Sequence, residues 1–238
     1  MKIIEKLNKK SGAYCLSAVA KSRDFAFIID GSLAVNENSA SVKWYVANLK
    51  MALKKFLLKE EVLPALSKAC QYVDERFKKY FEEKTPYVGL GICRKWQGEL
   101  QILLFNNVRC YLKTKEVKVL EDQKVKRDKN LLLKQMKEKP KKVDFPPIYA
   151  KLDDQEKYLY YKIPYEEAYA ALLCNGPLQH YQDYLELTDT AFFTLISEQG
   201  IKYCYTHLRR IEEKDPNMEK LTRFKFIDDV VALYVQLL

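Results

Sequence analysis

The sequence predicts an α+β fold, a sandwich of two mostly antiparallel β-sheets flanked by helices. Two observations lead to this prediction. From Tyr87 to Asp122 the apolar residues recur with a period of two, which is typical of strands. On both sides of this strand-rich middle, apolar residues recur every three or four positions, as they do in amphipathic helices. Separate groups of strands and helices indicate an α+β architecture.

Length and composition indicate a globular protein. The chain has 238 residues, of which 48% are hydrophobic, so it can bury a substantial core. We expect a single domain over residues 1–238, with two smaller domains as the alternative. Seven glycines and eight prolines exclude a collagen-like or low-complexity chain. The net charge of +9 is by itself only a weak indication of a nucleic-acid partner.

Nothing in the sequence suggests a membrane. No stretch reaches the roughly 18 consecutive apolar residues that a membrane helix needs. The first ten residues alternate charged and apolar side chains and do not form the core of a signal peptide. We therefore expect a cytoplasmic protein without a membrane partner.

The first half of the chain predicts a strand, two helices and a hairpin. The run 24–31 is nearly all apolar and stops at an Asp-Gly pair, which indicates a buried strand entering a turn. Apolar spacing predicts a helix over 39–58, and Pro64 opens a second one. A hairpin turn is expected at 96–99, followed by a strand over 100–105.

The rest of the chain predicts four strands and two helices. The run 168–174 indicates a buried strand that ends at Asn175-Gly176, and Thr188 is placed to cap a helix that Gly200 stops. The tyrosine-rich segment 158–161 could be a strand or a partner surface. Packing of its side chains in the core or at the rim of the core is the favoured interpretation. The remaining elements are strands over 109–112, 116–120 and 224–238, and a helix over 203–213.

Cysteine and histidine patterns exclude several chemistries. The six cysteines form no CxxC pair and lie among apolar residues, so we expect buried free thiols. Only His180 and His207 are present, and neither has a partner nearby in sequence. Ser-His-Asp or Cys-His catalysis and imidazole-ligated zinc are therefore disfavoured. Any chemistry would depend on carboxylates.

Two acidic sites interrupt apolar strands. Asp30 precedes Gly31 at the end of the first strong strand, and Asp228-Asp229 lies inside the predicted last strand. A carboxylate in an apolar strand is costly unless it is paired, hydrogen-bonded or metal-bound. The two sites could meet at one end of a sheet and hold a divalent cation. An ordinary Asp-Gly turn is the alternative for Asp30.

The most basic stretch is 124–142, with nine Lys or Arg residues against two acidic ones. A helix with a solvated basic face is the simpler interpretation. The functional alternative is a docking face for an acidic partner or nucleic acid. The residues proposed for that face are Lys124, Lys126, Arg127, Lys129, Lys134, Lys137 and Lys141.

The order of elements resembles the metal-dependent protein phosphatases (PPM, type 2C), and more narrowly their compact bacterial members. The matching segments are the strand ending in Asp30-Gly31, the strand before Asn175-Gly176 and the tail 225–232. The resemblance implies Mg²⁺ or Mn²⁺ held by Asp30, the Gly31 carbonyl and Asp228. Asp229 would be a further candidate ligand.

Several family positions are altered. Asn175 replaces the metal-binding Asp before Gly, the stretch 105–108 lacks the family's acid, and 15–17 lacks its Asn-Glu-Asp. No arginine occurs over 1–14, where the family's phosphate-binding residue would lie. The resemblance therefore implies a degraded metal site, in which Asp30, Asp228 and the Asn175 amide hold one Mg²⁺ or Mn²⁺ weakly or no cation at all, and activity that is lost or strongly reduced.

Three hypotheses follow. The first is a pseudophosphatase that serves as an interaction or regulatory module for a phosphoprotein or another protein. The second is a weakly active Mg²⁺/Mn²⁺-dependent Ser/Thr phosphatase with rearranged ligands. The third is a basic module that binds nucleic acid or an acidic partner through 124–142. Substitute ligands for the second hypothesis would be Asp229, Asp24, Glu37 or Asp183.

Overall fold

The computed structural model describes residues 1–9, 16–31, 39–82, 84–122, 152, 157–217 and 229–238. In these residues ten strands form two five-stranded sheets, and neighbouring strands pair antiparallel throughout. The first sheet has, in spatial order, β1 (Lys2–Lys9), β10 (Val230–Gln236), β9 (Ala170–Cys174), β6 (Arg109–Lys113) and β7 (Val117–Leu120). The second has β2 (Ser17–Lys21), β3 (Phe25–Asp30), β4 (Gly89–Trp96), β5 (Glu99–Phe105) and β8 (Leu159–Pro164).

Five helices accompany the sheets in the described residues. They are α1 (Ser39–Leu57), α2 (Val62–Tyr80), α3 (Gly176–Tyr184), α4 (Asp189–Gln199) and α5 (Ile201–Glu213). Among the described helices, none combines the length and apolar character needed to cross a bilayer.

The core consists of three apolar layers, which confirms the predicted sandwich. The central layer joins residues of both sheets, such as Ile28 and Ile102 from the second and Leu173 and Leu233 from the first. A second layer lies between the second sheet and the helices α1 and α2. A third lies between the first sheet and α3 to α5. Each sheet therefore buries one face against the other sheet and one against helices.

The helix pair α1–α2 forms where apolar periodicity predicts it. Its buried positions follow helical spacing, so one side of each helix packs on the second sheet. Two buried side chains of that sheet bind the turn between the helices. Arg94 donates a hydrogen bond to the Leu57 carbonyl, and the Val62 amide donates to Gln101 Oε1 at 3.1 Å.

Several predicted boundaries are corrected. The second helix begins at Val62, and Pro64 lies in its first turn, where a missing amide proton costs no intrahelical bond. The last helix begins at Ile201, because Gly200 adopts a φ of 88° and separates it directly from α4. Thr188 caps α4 as predicted, accepting a hydrogen bond from the Ala191 amide.

The prediction that the acidic pair lies inside the last strand is wrong for Asp229. β10 begins at Val230, so Asp229 precedes the strand, and its carboxylate is held by a backbone amide. Asp228 lies outside the described residues, as does the basic stretch 124–142 with all its proposed docking residues. The tyrosine-rich segment enters β8. Five cysteines are buried and free, as predicted, and Cys15 lies outside the described residues.

Gly91 lies where the two sheets are packed tightly against each other. A Cβ on this β4 residue would lie 2.7 Å from Val108 Cγ1, just before β6, and 3.3 Å from Leu173 Cδ2 of β9. We predict that Gly91→Ala lowers the free energy of unfolding by about 2 kcal/mol through overpacking. Urea denaturation measures this. Gly98→Ala is the control, because its Cβ meets nothing within 4 Å and its φ of 82° adds only backbone strain. An unchanged free energy of unfolding in Gly91→Ala would contradict the tight packing of the two sheets at this residue.

Candidate functional site

The ends of four strands meet at one end of the sandwich and bring together buried polar residues. Asp30 ends β3, and Ser17 begins β2 beside it. Asn175 follows β9 and Asp229 precedes β10, both in the other sheet. All four residues are at most 6% exposed. The site therefore joins the two sheets through polar contacts at the margin of the apolar core.

Asn175 is at the centre of this group. Its side-chain nitrogen donates to Asp30 Oδ2 at 2.9 Å and to the Asp229 carbonyl at 2.8 Å. Its Oδ1 accepts a hydrogen bond from the Val231 amide at 3.1 Å. These partners fix the orientation of the carboxamide, because an amide proton must face Oδ1 and two acceptors must face the NH₂ group. Asn175 thus connects β3, β9 and β10.

Asp30 is held by two neutral donors. Ser17 Oγ donates to Oδ1 at 3.2 Å, and Asn175 donates to Oδ2. Ser17 and Asp30 are also register partners in the β2–β3 ladder, so the serine is positioned by the sheet itself. A carboxylate that is 1% exposed would be strongly destabilising without such hydrogen bonds. The neighbouring donors therefore account for an acidic residue at the end of an apolar strand.

Leu16 links Gly31 to Asp229 through its backbone. The Gly31 amide donates to the Leu16 carbonyl at 3.0 Å, and the Leu16 amide donates to Asp229 Oδ2 at 3.1 Å. A Cβ on Gly31 would lie 2.1 Å from the Leu16 carbonyl oxygen, closer than any real contact. The close approach of two backbone segments is thus a structural reason for glycine at this position.

The structure brings Asp30, Gly31, Asn175 and Asp229 into one site. Within the described ranges, no group of three or more His, Cys, Asp or Glu residues is arranged to hold a metal ion. Asp228 and Glu37 lie outside those ranges.

Two proposed substitute ligands lie elsewhere. Asp24 is at the opposite end of β3 from Asp30, about 20 Å away at the rise of an extended strand. Asp183 is exposed on α3. Sequence analysis did not identify Ser17 as a partner of Asp30, since nothing in its own segment signals the pairing.

A second buried polar group fastens α3 to the first sheet. Arg109 forms an ion pair with Glu121 at 2.5 Å and donates to the Tyr111 hydroxyl at 2.8 Å. The Tyr111 hydroxyl in turn donates to Gln182 of α3, which also donates to Asp189. Burial by itself would lower the pKa of Arg109, but Tyr111 and Glu121 raise it above its usual value. The guanidinium stays charged, and its ion pair and hydrogen bonds hold α3 against the first sheet.

Comparison with solved structures identifies the fold. PppA, described as a key regulatory component of T6SS in Pseudomonas aeruginosa, aligns with a TM-score of 0.59 at 12% identity, covering 98% of this chain and 96% of that one. Stp1 from Staphylococcus aureus, a serine/threonine phosphatase, aligns with a TM-score of 0.59 at 10% identity over 99% and 95%. The Mycobacterium tuberculosis serine/threonine phosphatase PstP gives 0.53 at 11% over 98% and 96%.

The chain has the fold of the type 2C serine/threonine phosphatases. This confirms the resemblance of the element order at the level of fold. A catalytic domain of PstP with the same fold was solved in complex with two manganese ions. No protein-family model and no curated protein matches the sequence. At identities of 10–12% the similarity concerns the fold, and the function rests on the residues of this chain.

We predict that Asn175→Ala lowers the free energy of unfolding by about 3 kcal/mol, because three buried hydrogen bonds are lost. Chemical denaturation measures the change. Gln179→Ala on the adjoining helix is the control, since its amide nitrogen makes two longer bonds, of 3.3 and 3.5 Å, to backbone carbonyls. Equal effects of the two substitutions would contradict a central role for Asn175.

Proposed function

We propose that this chain is a type 2C phosphatase-like protein with impaired catalysis, a pseudophosphatase that acts as an interaction or regulatory module. One observation carries the proposal. The NH₂ group of Asn175 points at Asp30, and the amide oxygen is occupied by a backbone amide.

A metal ligand must direct a lone pair at the cation. The nitrogen of a carboxamide is only a donor, and the Asn175 oxygen that could ligate faces the Val231 amide instead. Both oxygens of Asp30 accept hydrogen bonds from neutral donors. The described residues therefore do not fit a two-cation centre, which requires several carboxylates free to coordinate. They support no catalytic step through such a centre.

Asn175 supplies a neutral connection between the sheets. A carboxylate in its place would lie against Asp30 and would need a cation or a shared proton to balance the two charges. The neutral carboxamide donates a hydrogen bond to Asp30 and adds no charge beside it. This arrangement keeps the fold intact without a metal at that point, as expected of a domain retained for binding. We propose a phosphoprotein or another protein as the partner. PppA, which has the same fold, is described as a regulatory component.

A second candidate function is weak Mg²⁺- or Mn²⁺-dependent phosphatase activity with rearranged ligands. The observation in its favour is that two carboxylates, those of Asp30 and Asp229, lie at the same site. Asn175 donates hydrogen bonds to the Asp30 carboxylate and to the Asp229 carbonyl, and the Leu16 amide donates one to the Asp229 carboxylate. A cation would have to replace those partners. Metal binding and turnover separate the two functions.

We predict that the wild-type protein shows no Mn²⁺-dependent hydrolysis of p-nitrophenyl phosphate above that of Asp30→Ala. Calorimetry with Mn²⁺ on the same preparations checks for binding, and thermal unfolding checks that the variant is folded. Turnover that requires both Mn²⁺ and Asp30 would establish the second candidate function and refute the first.

We predict that Asn175→Asp is less stable than the wild type by about 3 kcal/mol at pH 7, because a second carboxylate replaces the donors to Asp30. The pair shares a proton, so its pKa in the folded state rises above that of the unfolded chain. The folded variant then binds more protons, and its stability recovers as the pH falls. Denaturation at a series of pH values measures this.

The same variant tests the metal argument. Mn²⁺ should raise the melting temperature of Asn175→Asp and leave the wild type unchanged, because only the variant offers two facing carboxylates. Gln179→Glu is the control, an amide-to-acid change whose side-chain contacts are backbone carbonyls. Equal stabilisation of wild type and variant by Mn²⁺ would argue against the proposal.

A further inference from the structure

We propose that the outward surface of α1 and α2 docks an acidic, partly apolar segment of a partner protein. We call the exposed residues over 39–80 the helix-pair surface. The two helices cover the second sheet. The docking proposal rests on the proposed interaction role and adds to it a surface and a chemical class of partner.

Charge on the helix-pair surface is predominantly positive. Every residue over 39–80 is described, and Glu75 is the one exposed acid among them. The other acids of this range, Glu60, Glu61 and Asp74, each have a lysine or tyrosine partner within 3.5 Å. The exposed basic residues are Lys43, Lys54, Lys55, Lys59, Lys68, Lys78 and Lys79. Such a concentration of like charge favours an acidic partner.

Large apolar side chains are also exposed on these helices. Met51 of α1 and Leu58, which directly follows that helix, are seven residues apart and share one face. Half of the ten exposed large apolar residues in the described part of the chain belong to these two helices and their turn. Their exposure ranges from 38% to 65%, and they are Met51, Leu58, Leu63, Tyr72 and Tyr80. Tyrosine and methionine are enriched in the centres of protein interfaces. Apolar anchors surrounded by cations suit a segment that carries both apolar and acidic side chains.

The surface is preformed. The inner faces of both helices are buried on the second sheet, and Trp44 of α1 packs on Phe77 and Tyr80 of α2 at 5.9 and 5.7 Å. Arg94 and Gln101 hold the turn between the helices. A partner therefore binds without ordering the helices first, which lowers the entropic cost of association.

Ring contacts favour a protein over single-stranded nucleic acid. Lys55 Nζ lies 5.7 Å from the Tyr72 ring centroid, and the Arg76 guanidinium lies 5.2 Å from it. Lys55 also lies 5.3 Å from the ring of Phe56. Because these cations cover the Tyr72 ring, it is poorly placed to stack on bases, and the apolar anchors of the surface are Met51 and Leu58.

The spacing of apolar residues disfavours a membrane. On α1, Lys54 and Lys55 stand between Met51 and Leu58, so the apolar side chains do not form the continuous stripe that inserts into a bilayer interface. An acidic protein segment can alternate carboxylates with apolar side chains to match this pattern.

The experiment uses a fluorescein-labelled helical peptide of Glu and Leu, with Leu at positions i, i+3 and i+4, and the full chain in a fluorescence anisotropy titration. The test variant is Lys54→Glu/Lys55→Glu/Lys59→Glu. Its matched control is Lys115→Glu/Lys118→Glu/Lys202→Glu, which changes the net charge equally at exposed lysines elsewhere. We expect the dissociation constant to rise about tenfold in the test variant and less than about twofold in the control.

A second variant, Met51→Ser/Leu58→Ser, isolates the apolar anchors at constant charge. It should weaken peptide binding about fivefold, as expected for loss of buried apolar area. Circular dichroism confirms that each variant keeps its helices. Absence of peptide binding, or an equal loss in the test and control charge variants, would overturn the proposal.

Two further probes test whether the helix-pair surface binds nucleic acid or a lipid surface instead. A 20-nucleotide single-stranded DNA and vesicles containing phosphatidylserine are titrated with the same variants. If either probe binds the helix-pair surface and the peptide does not, the protein-docking proposal is wrong. The titrations are run in EDTA, so they are independent of Mn²⁺ chemistry. Loss of docking therefore leaves the pseudophosphatase proposal standing, and metal-dependent turnover leaves docking standing.

Discussion

The hydrogen bonds of one carboxamide are the constraint on which the candidate site depends. Asn175 lies after a strand of the first sheet and donates to Asp30, the last residue of a strand in the second sheet. It also binds the backbone on both sides of the start of β10. Three strands from two sheets are therefore aligned by a single side chain. The close packing of Gly31 on Leu16 continues the β2–β3 ladder, in which Ser17 faces Asp30.

This constraint accounts for a buried carboxylate at the end of an apolar strand through hydrogen bonds. Asp30 is stabilised because Ser17 and Asn175 supply protons to both of its oxygens. A two-cation centre would require those oxygens to face metal ions instead. The binding role that we propose rests on this local structure and on the charged and apolar side chains exposed on the helix pair over the second sheet.

Elements with strong periodicity could be predicted from the sequence, and most edge strands could not. The helices α1 and α2 and the hairpin of β4 and β5 bury one regular face, so their apolar spacing is unambiguous. The strands β1 and β2, which the sequence did not predict, and β8, for which a strand was one alternative, all lie at the edges of their sheets. Edge strands carry charged and polar side chains, which dilute the pattern. The Lys-rich β1 is the clearest example.

The candidate site could be predicted only in part, because the contacts that define it join distant segments of the chain. An acid at the end of an apolar strand marks Asp30, and the resemblance of the chain to a family marks Asn175 and the region of Asp229. The sequence contains no signal for the direction in which the Asn175 amide points, because its partners lie 145, 54 and 56 residues away in the chain. Only the packing of the two sheets determines which atom faces Asp30.

The side-chain amide resonance of Asn175, followed in ¹⁵N-labelled protein during titration with Mn²⁺, distinguishes a hydrogen-bonded site from a metal site. Loss of the peak in Asn175→Ala assigns it. We predict slow exchange of these protons with solvent and a peak that stays sharp at stoichiometric Mn²⁺, because the NH₂ group is hydrogen-bonded to Asp30 and Asp229. Paramagnetic loss of the peak at one equivalent of Mn²⁺ would place a metal at this site and contradict the role proposed for Asn175.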